Sequence, residues 1–222
     1  NIVTWKNSEL MSETSFPSLR RKALSFAFSP DGKQIAIGDD GGTVSLWSTD
    51  QSMLFPLEFM GHTGSVDAVA LHPDGTLLAS GGEDKNIRIW DLQAPEQVKL
   101  VLRGHEGSIR SLAFSPTQNV LASGGADNTI RLWNLQFPDY PPLTLTGHTE
   151  EVLAVAFSLD GTMLASAGED NSLRLWPLNN LRTDFVWLLQ IYSTSIRLFE
   201  GEEPISSIAF SPDGTSLAIR NQ

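Results

Sequence analysis

Four tryptophans, Trp47, Trp90, Trp133 and Trp176, stand 43 residues apart each time. Each closes a run of the type "NIRIW". A pattern that returns at this interval constrains the fold more than any other feature of the chain. It marks a supersecondary unit that cannot cover its own apolar face and must stack against copies of itself. Three segments, 61–91, 104–134 and 147–177, align without gaps. Each opens on Gly-His and runs into alternating apolar residues, "VDAVAL", "IRSLAF" and "VLAVAF". Alternation with period two reads as a half-buried strand. A tight turn follows ("HPDG", "SPTQ", "SLDG"), then a second strand ("TLLAS", "NVLAS", "TMLAS"). Asp-Gly and Pro suit the backbone of such turns. A Gly/Asp/Asn turn leads to a third strand that ends on the tryptophan, and a variable fourth strand precedes the next Gly-His. The unit is a four-stranded antiparallel meander, and no segment carries a helical period.

Gly-His, the SPDG-type turn, the Ser-Gly-Gly/Asp turn and the closing Trp-Asp (Trp90-Asp91) together resemble the WD-repeat family over nearly the whole chain. The resemblance implies an all-β chain, a β-propeller of four-stranded antiparallel WD-repeat blades. It also implies a hydrogen-bonded set within each blade. The sets are His62, Ser80, Asp84 and Trp90; His105, Ser123, Asp127 and Trp133; and His148, Ser166, Asp170 and Trp176. A His–Ser–Asp group could suggest nucleophilic catalysis, but its recurrence in three copies assigns it to the scaffold. The regular, SPDG-rich style is similar to bacterial multi-repeat WD proteins, in which such arrays often serve as the recognition end of larger signalling chains.

Composition narrows the function. The net charge is -11, against the basic footprint of a nucleic-acid binder. Arg20-Arg21-Lys22 is the one basic cluster. Cysteine is absent, which removes disulfides, thiol catalysis and cysteine-bound zinc. No apolar run approaches the roughly 18 residues of a membrane span, and neither a signal peptide nor a glycosylation sequon is recognised. A cytoplasmic protein without membrane or nucleic-acid partners is expected. The glycines of 38–42 and 80–86 lack the ending of a phosphate loop. No calcium loop, zinc pattern or nucleophile with its own base is visible. No catalytic residue, metal or cofactor is assigned.

The repeat breaks in three places. Residues 24–48 are a fourth copy, but Leu19, Ile37 and Gly41 fall at the His, Ser and Asp positions. This blade should be held by apolar packing. Residues 205–222 contain two strands of a further copy, and "NIVTW" (1–5) matches a third strand. One domain over 1–222 follows, with segments 1–23 (partial), 24–60, 61–103, 104–146, 147–200 and 201–222 (partial). That is about five blades' worth of strands. They form either an incomplete ring, complete only in a longer chain or with another chain, or a ring closed by one split blade built from both termini. Open blade edges would invite self-association. Between Trp176 and the next copy lies an apolar insertion near 181–192, including Phe185 to Tyr192. It reads as an element packed on its own blade or an exposed docking element.

The family resemblance also implies a binding face, formed just inside the first strands and in the turns after the second. The matching positions are Leu24, Asp67, Arg110, Leu153 and Ser206, with Asp40, Glu83, Ala126 and Glu169. They differ between blades while their neighbours repeat. Acidic residues dominate, with Arg110 expected as an isolated cation able to fork onto a carboxylate. The expected function is a non-catalytic scaffold for proteins or peptides that present basic groups. The alternatives are a propeller enzyme or small-ligand binder using the central channel, and a segment of a larger propeller in a signalling protein.

Overall fold

The computed structural model of the chain describes residues 2–6, 9–14, 21–49, 55–95, 97–178 and 196–221, and every element in them is a β-strand. Strands β1 (Ile2–Lys6) and β2 (Glu9–Thr14) form an antiparallel hairpin. Four four-stranded antiparallel meanders follow. The first is β3 (Ala23–Phe28), β4 (Gln34–Asp39), β5 (Thr43–Ser48) and β6 (Leu57–Met60). The second is β7 (Ala68–Leu71), β8 (Leu77–Gly81), β9 (Asn86–Asp91) and β10 (Val98–Arg103). The third is β11 (Ile109–Phe114), β12 (Val120–Gly125), β13 (Thr129–Asn134) and β14 (Leu143–Thr146). The fourth is β15 (Val152–Phe157), β16 (Met163–Gly168), β17 (Ser172–Pro177) and β18 (Ile196–Glu200). A last hairpin, β19 (Ile205–Phe210) with β20 (Leu217–Asn221), ends the described chain.

The apolar core is a series of layers between blades. Trp90, Trp133 and Trp176, which close third strands, each pack on the sheet of the preceding blade. Trp90 joins Ala36, Leu46 and Phe59, its ring 5.3 Å from that of Phe59. Trp133 joins Ala79, Ile89 and Leu102, and Trp176 joins Ala122, Leu132 and Leu145. Large indoles buried between sheets add a large apolar surface to each of these layers. Gly38, Gly81 and Gly124 let the blades approach at their first strands. A Cβ added there would lie 2.6 Å from Val66, 2.8 Å from Ile109 and 2.7 Å from Val152 respectively.

Of the two arrangements open to the sequence, the described strands adopt the incomplete one. The hairpins β1–β2 and β19–β20 are separate two-stranded sheets, and no ladder joins β20 to β1. Among the described residues the split blade is therefore not formed. The consequence is visible at β3. Val69, Leu112 and Val155, at equivalent positions of the later blades, are 8%, 8% and 6% exposed, whereas Phe26 is 66% exposed. Among the described residues, none packs over this apolar face of the first sheet, which turns to solvent. The apolar insertion Phe185 to Tyr192, like Leu19, lies outside the described residues.

Candidate functional site

The residues assigned to the scaffold come together in all three blades. In the second blade, His62 Nδ1 lies 2.9 Å from Asp84 and Nε2 2.8 Å from the Ser80 hydroxyl, which accepts the Trp90 indole N–H at 2.8 Å. The third blade repeats this, with His105 Nε2 2.7 Å from Ser123, Nδ1 2.9 Å from Asp127 and the Trp133 N–H 2.8 Å from Ser123. In the fourth, the corresponding distances among His148, Ser166, Asp170 and Trp176 are 2.7, 2.9 and 2.8 Å. The arrangement satisfies each group once. The imidazole donates from Nδ1 to the carboxylate and accepts the serine proton at Nε2, while the serine oxygen takes the indole proton.

Burial pushes the His62 and His148 imidazoles below their ordinary value, against the pull of Asp84 and Asp170. The neutral ring is what the network requires. Burial works the other way on Asp84, but the hydrogen bond from His62 and the backbone N–H groups of Asn86 and Thr63 outweigh it and hold the carboxyl low. Asp127 and Asp170 are held low against burial in the same manner. The side chains of all three histidines are fully buried.

The first blade replaces the network. Ile37 packs with Ile35 and Trp47, and the Trp47 N–H donates at 3.0 Å to Ser45 on its own strand. Arg21 lies where a side chain at position 41 would begin, so an aspartate could not be accommodated there without moving it. Ser45 escaped sequence reasoning because it stands where the other blades carry arginine, a position the repeat does not mark as part of the set.

The nine face positions gather at one end of the blades. The turn residues Asp40, Glu83, Ala126 and Glu169 donate their backbone N–H to Lys22, Ser65, Ser108 and Glu151, in the segment entering the first strand of the same blade. Leu24, Arg110, Leu153 and Ser206 share a feature invisible in the sequence. Each is the residue skipped where the ladder between first and second strands shifts register, between Ala23 and Ser25, Ile109 and Ser111, Val152 and Ala154, and Ile205 and Ser207. A bulged residue is unpaired and its side chain is re-aimed. Asp67 sits at the equivalent point, just ahead of β7, its N–H bonded to Gly81.

Arg110 is not the isolated cation expected. Its Nε donates to Glu151 at 2.8 Å and its Nη1 to Asp67 at 3.1 Å, so one guanidinium spans three consecutive blades. Asp67 also accepts the Ser65 hydroxyl at 2.6 Å. The fork is used within the chain. Glu151 was missed as a member of this group. It stands where the other two regular blades carry Ser65 and Ser108, and that departure from the repeat was the available signal. Glu83 and Glu169 remain exposed. Asp40 is also exposed, but Arg21 and Lys22 beside it in the chain's entry to β3 are exposed as well. The acidic part of the rim therefore belongs to the second to fourth blades.

Comparison with known families agrees with this architecture. The model of the WD domain, G-beta repeat, matches residues 20–48, 55–91, 96–134, 140–177 and 193–219, most of the chain. The chain belongs to the WD-repeat family. A search for relatives among curated proteins finds no match.

Proposed function

We propose that this chain is a non-catalytic interaction module that holds a protein or peptide partner on the end of the blades carrying the bulged residues. WD-repeat domains commonly mediate contacts between proteins. The observation that carries the reading is the set of bulges. Leu24, Arg110, Leu153 and Ser206 are freed from the ladder in four sheets, so the fold presents one variable side chain per blade at a common end. The buried His–Ser–Asp groups are structural. The partner presents Lys or Arg to Glu83 and Glu169, the exposed carboxylates beside the Asp67–Arg110–Glu151 ion group.

The test compares a Lys/Arg-rich and a Glu/Asp-rich fluorescent peptide of equal length, followed by anisotropy at low and high salt. The basic peptide should bind, more weakly as salt screens the charges, and Glu83→Lys with Glu169→Lys should abolish binding. These two side chains are exposed, and because Glu83 also accepts the Ser65 N–H at 3.4 Å, an unchanged melting temperature of the variant is the control. Equal binding of both peptides, or indifference to charge reversal, would remove the proposed specificity.

A further inference from the structure

The turn between β8 and β9 departs from the repeat at positions where the other blades agree. The third and fourth blades place Asn128 and Asn171 in the left-handed conformation, at φ 63° and 57°, and the first blade places Gly42 there at 86°. Glycine and asparagine enter this region at the least cost. The second blade places Lys85 there, at 62°. Asn128 also uses its amide, which donates to the Thr149 carbonyl of the next blade at 2.9 Å. Lys85 carries the strain without that bond. The following position departs as well. Asn86 stands where the third and fourth blades carry Thr129 and Ser172. Opposite it in the β9–β10 ladder is Arg103, where the third blade has Thr146 opposite Thr129. Asn86 Nδ2 donates to the Asp84 carbonyl at 2.7 Å, and its Oδ1 accepts Arg103 Nη1 at 2.9 Å. The amide thus holds the Arg103 guanidinium at the turn that carries Lys85.

Lys85 and Arg103 are both exposed, and among the described residues neither forms an ion pair. Arg110, by contrast, is committed to Asp67 and Glu151. The Gly82 carbonyl accepts the N–H of Lys85 at 3.1 Å and that of Ile109 at 3.0 Å, which pins the turn to the strand carrying Arg110. Two uncommitted cations at one turn stand out in a chain of net charge -11. We propose that Lys85 and Arg103 form an anion site for a carboxylate of the partner, so that the second blade reads a basic and an acidic residue lying close together in that partner. The proposal rests on the reading of Glu83 given above. Glu83 stands two residues before Lys85 on the same turn and takes the basic group, while the two cations take the acidic one. Glu83 and Glu106 are exposed at this end of the blade, and they favour a singly charged carboxylate over a phosphate, whose second charge they repel. Arg103 supplies directional N–H groups, and Lys85 a compact charge on a flexible stem. A lysine kept in a sparsely populated backbone region fits a position retained for contact.

The test uses fluorescent peptides that share one Lys/Arg-rich sequence. A single Asp is stepped along it one position at a time, and each peptide is matched to one with Asn in its place. Against a chain of net charge -11, the added negative charge by itself weakens binding at every position. The expected result is the reverse at one or two neighbouring positions, where the Asp peptide binds about two- to fivefold tighter than its Asn match, the range of an exposed ion pair. Lys85→Asn and Arg103→Thr, which introduce the residues of the third blade, should each remove that gain and leave the Asn peptide bound at least as tightly. Lys85→Asn should at the same time raise the melting temperature, because asparagine suits the left-handed backbone. A loss of recognition together with a gain of stability separates a contact from a structural role. An Asp gain at no position, or one that survives both substitutions, would overturn the proposal, and the acidic rim would stand if the Asn peptides bind. Binding of no basic peptide would overturn both.

Discussion

At the scale of single residues, the chain uses one serine hydroxyl per blade as a junction. Ser123 sits between His105 and Trp133 and is fully buried. Replacing it by alanine strands an indole N–H and an imidazole nitrogen in a dry layer. We expect Ser123→Ala to lower stability by about 1–3 kcal/mol, the cost of leaving a buried polar partner unmade, read by urea denaturation. The reverse change, Ile37→Ser in the first blade, should bring no gain, because Trp47 already donates to Ser45. The three complete sets were legible in the sequence because each member recurs at the same interval. Ser45 and the Arg110 partner Glu151 were not. Both are departures from the repeat, and a periodic pattern reports what is common to the copies rather than what one copy does alone.

At the scale of elements, the strands and their order could be read from alternation and turn residues, whereas the bulges could not. A bulge changes the pairing of a strand by one residue without altering its hydrophobic pattern, since the neighbours on either side keep their faces. Alanine or glycine at the close approach between blades is equally silent in a hydropathy pattern, yet the geometry there is tight. A methyl group at Gly124 would meet Val152 at 2.7 Å, from the first strand of the next blade. We expect Gly124→Ala to destabilise by about 1–3 kcal/mol through overpacking, visible as a lowered melting temperature. The joint that follows it, between Ala167 and Ile205, accommodates a methyl group, so Ala167→Gly there should cost no such strain relief and bring no gain.

At the scale of the molecule, the repeated networks make acid sensitivity a collective property. The His62 and His148 imidazoles lie below their ordinary 6.5 in the folded chain. Above about pH 6.5 their contribution is fully present. As pH falls through that value the unfolded chain binds protons first, so stability declines until the folded histidines titrate in turn. The carboxyls of Asp84, Asp127 and Asp170 are held below 3.8, so a second loss follows as pH falls below about 4. Both effects have the same sign. Thermal melts at constant ionic strength should show the midpoint falling from pH 7 to pH 5 and again below pH 4. His148→Gln should flatten the first step. Ring closure is the whole-molecule property that the sequence left open. Residues 1–5 and 205–222 carry the patterns of strands of a repeat. A pattern records that a strand can pair without recording whether its partner lies in the same segment, in further repeats of a longer chain or in another chain.

The bulged first-strand residues separate two demands that usually compete. Arg110, Leu153 and Ser206 occupy equivalent points in successive blades but differ in charge, size and polarity, while Ile109, Val152 and Ile205 beside them stay apolar and fully buried. One position per blade is thereby uncoupled from the ladder and the core. Such a surface works as an alphabet with one letter per blade. A new message can be written by exchanging letters, and the page beneath it need not be redrawn.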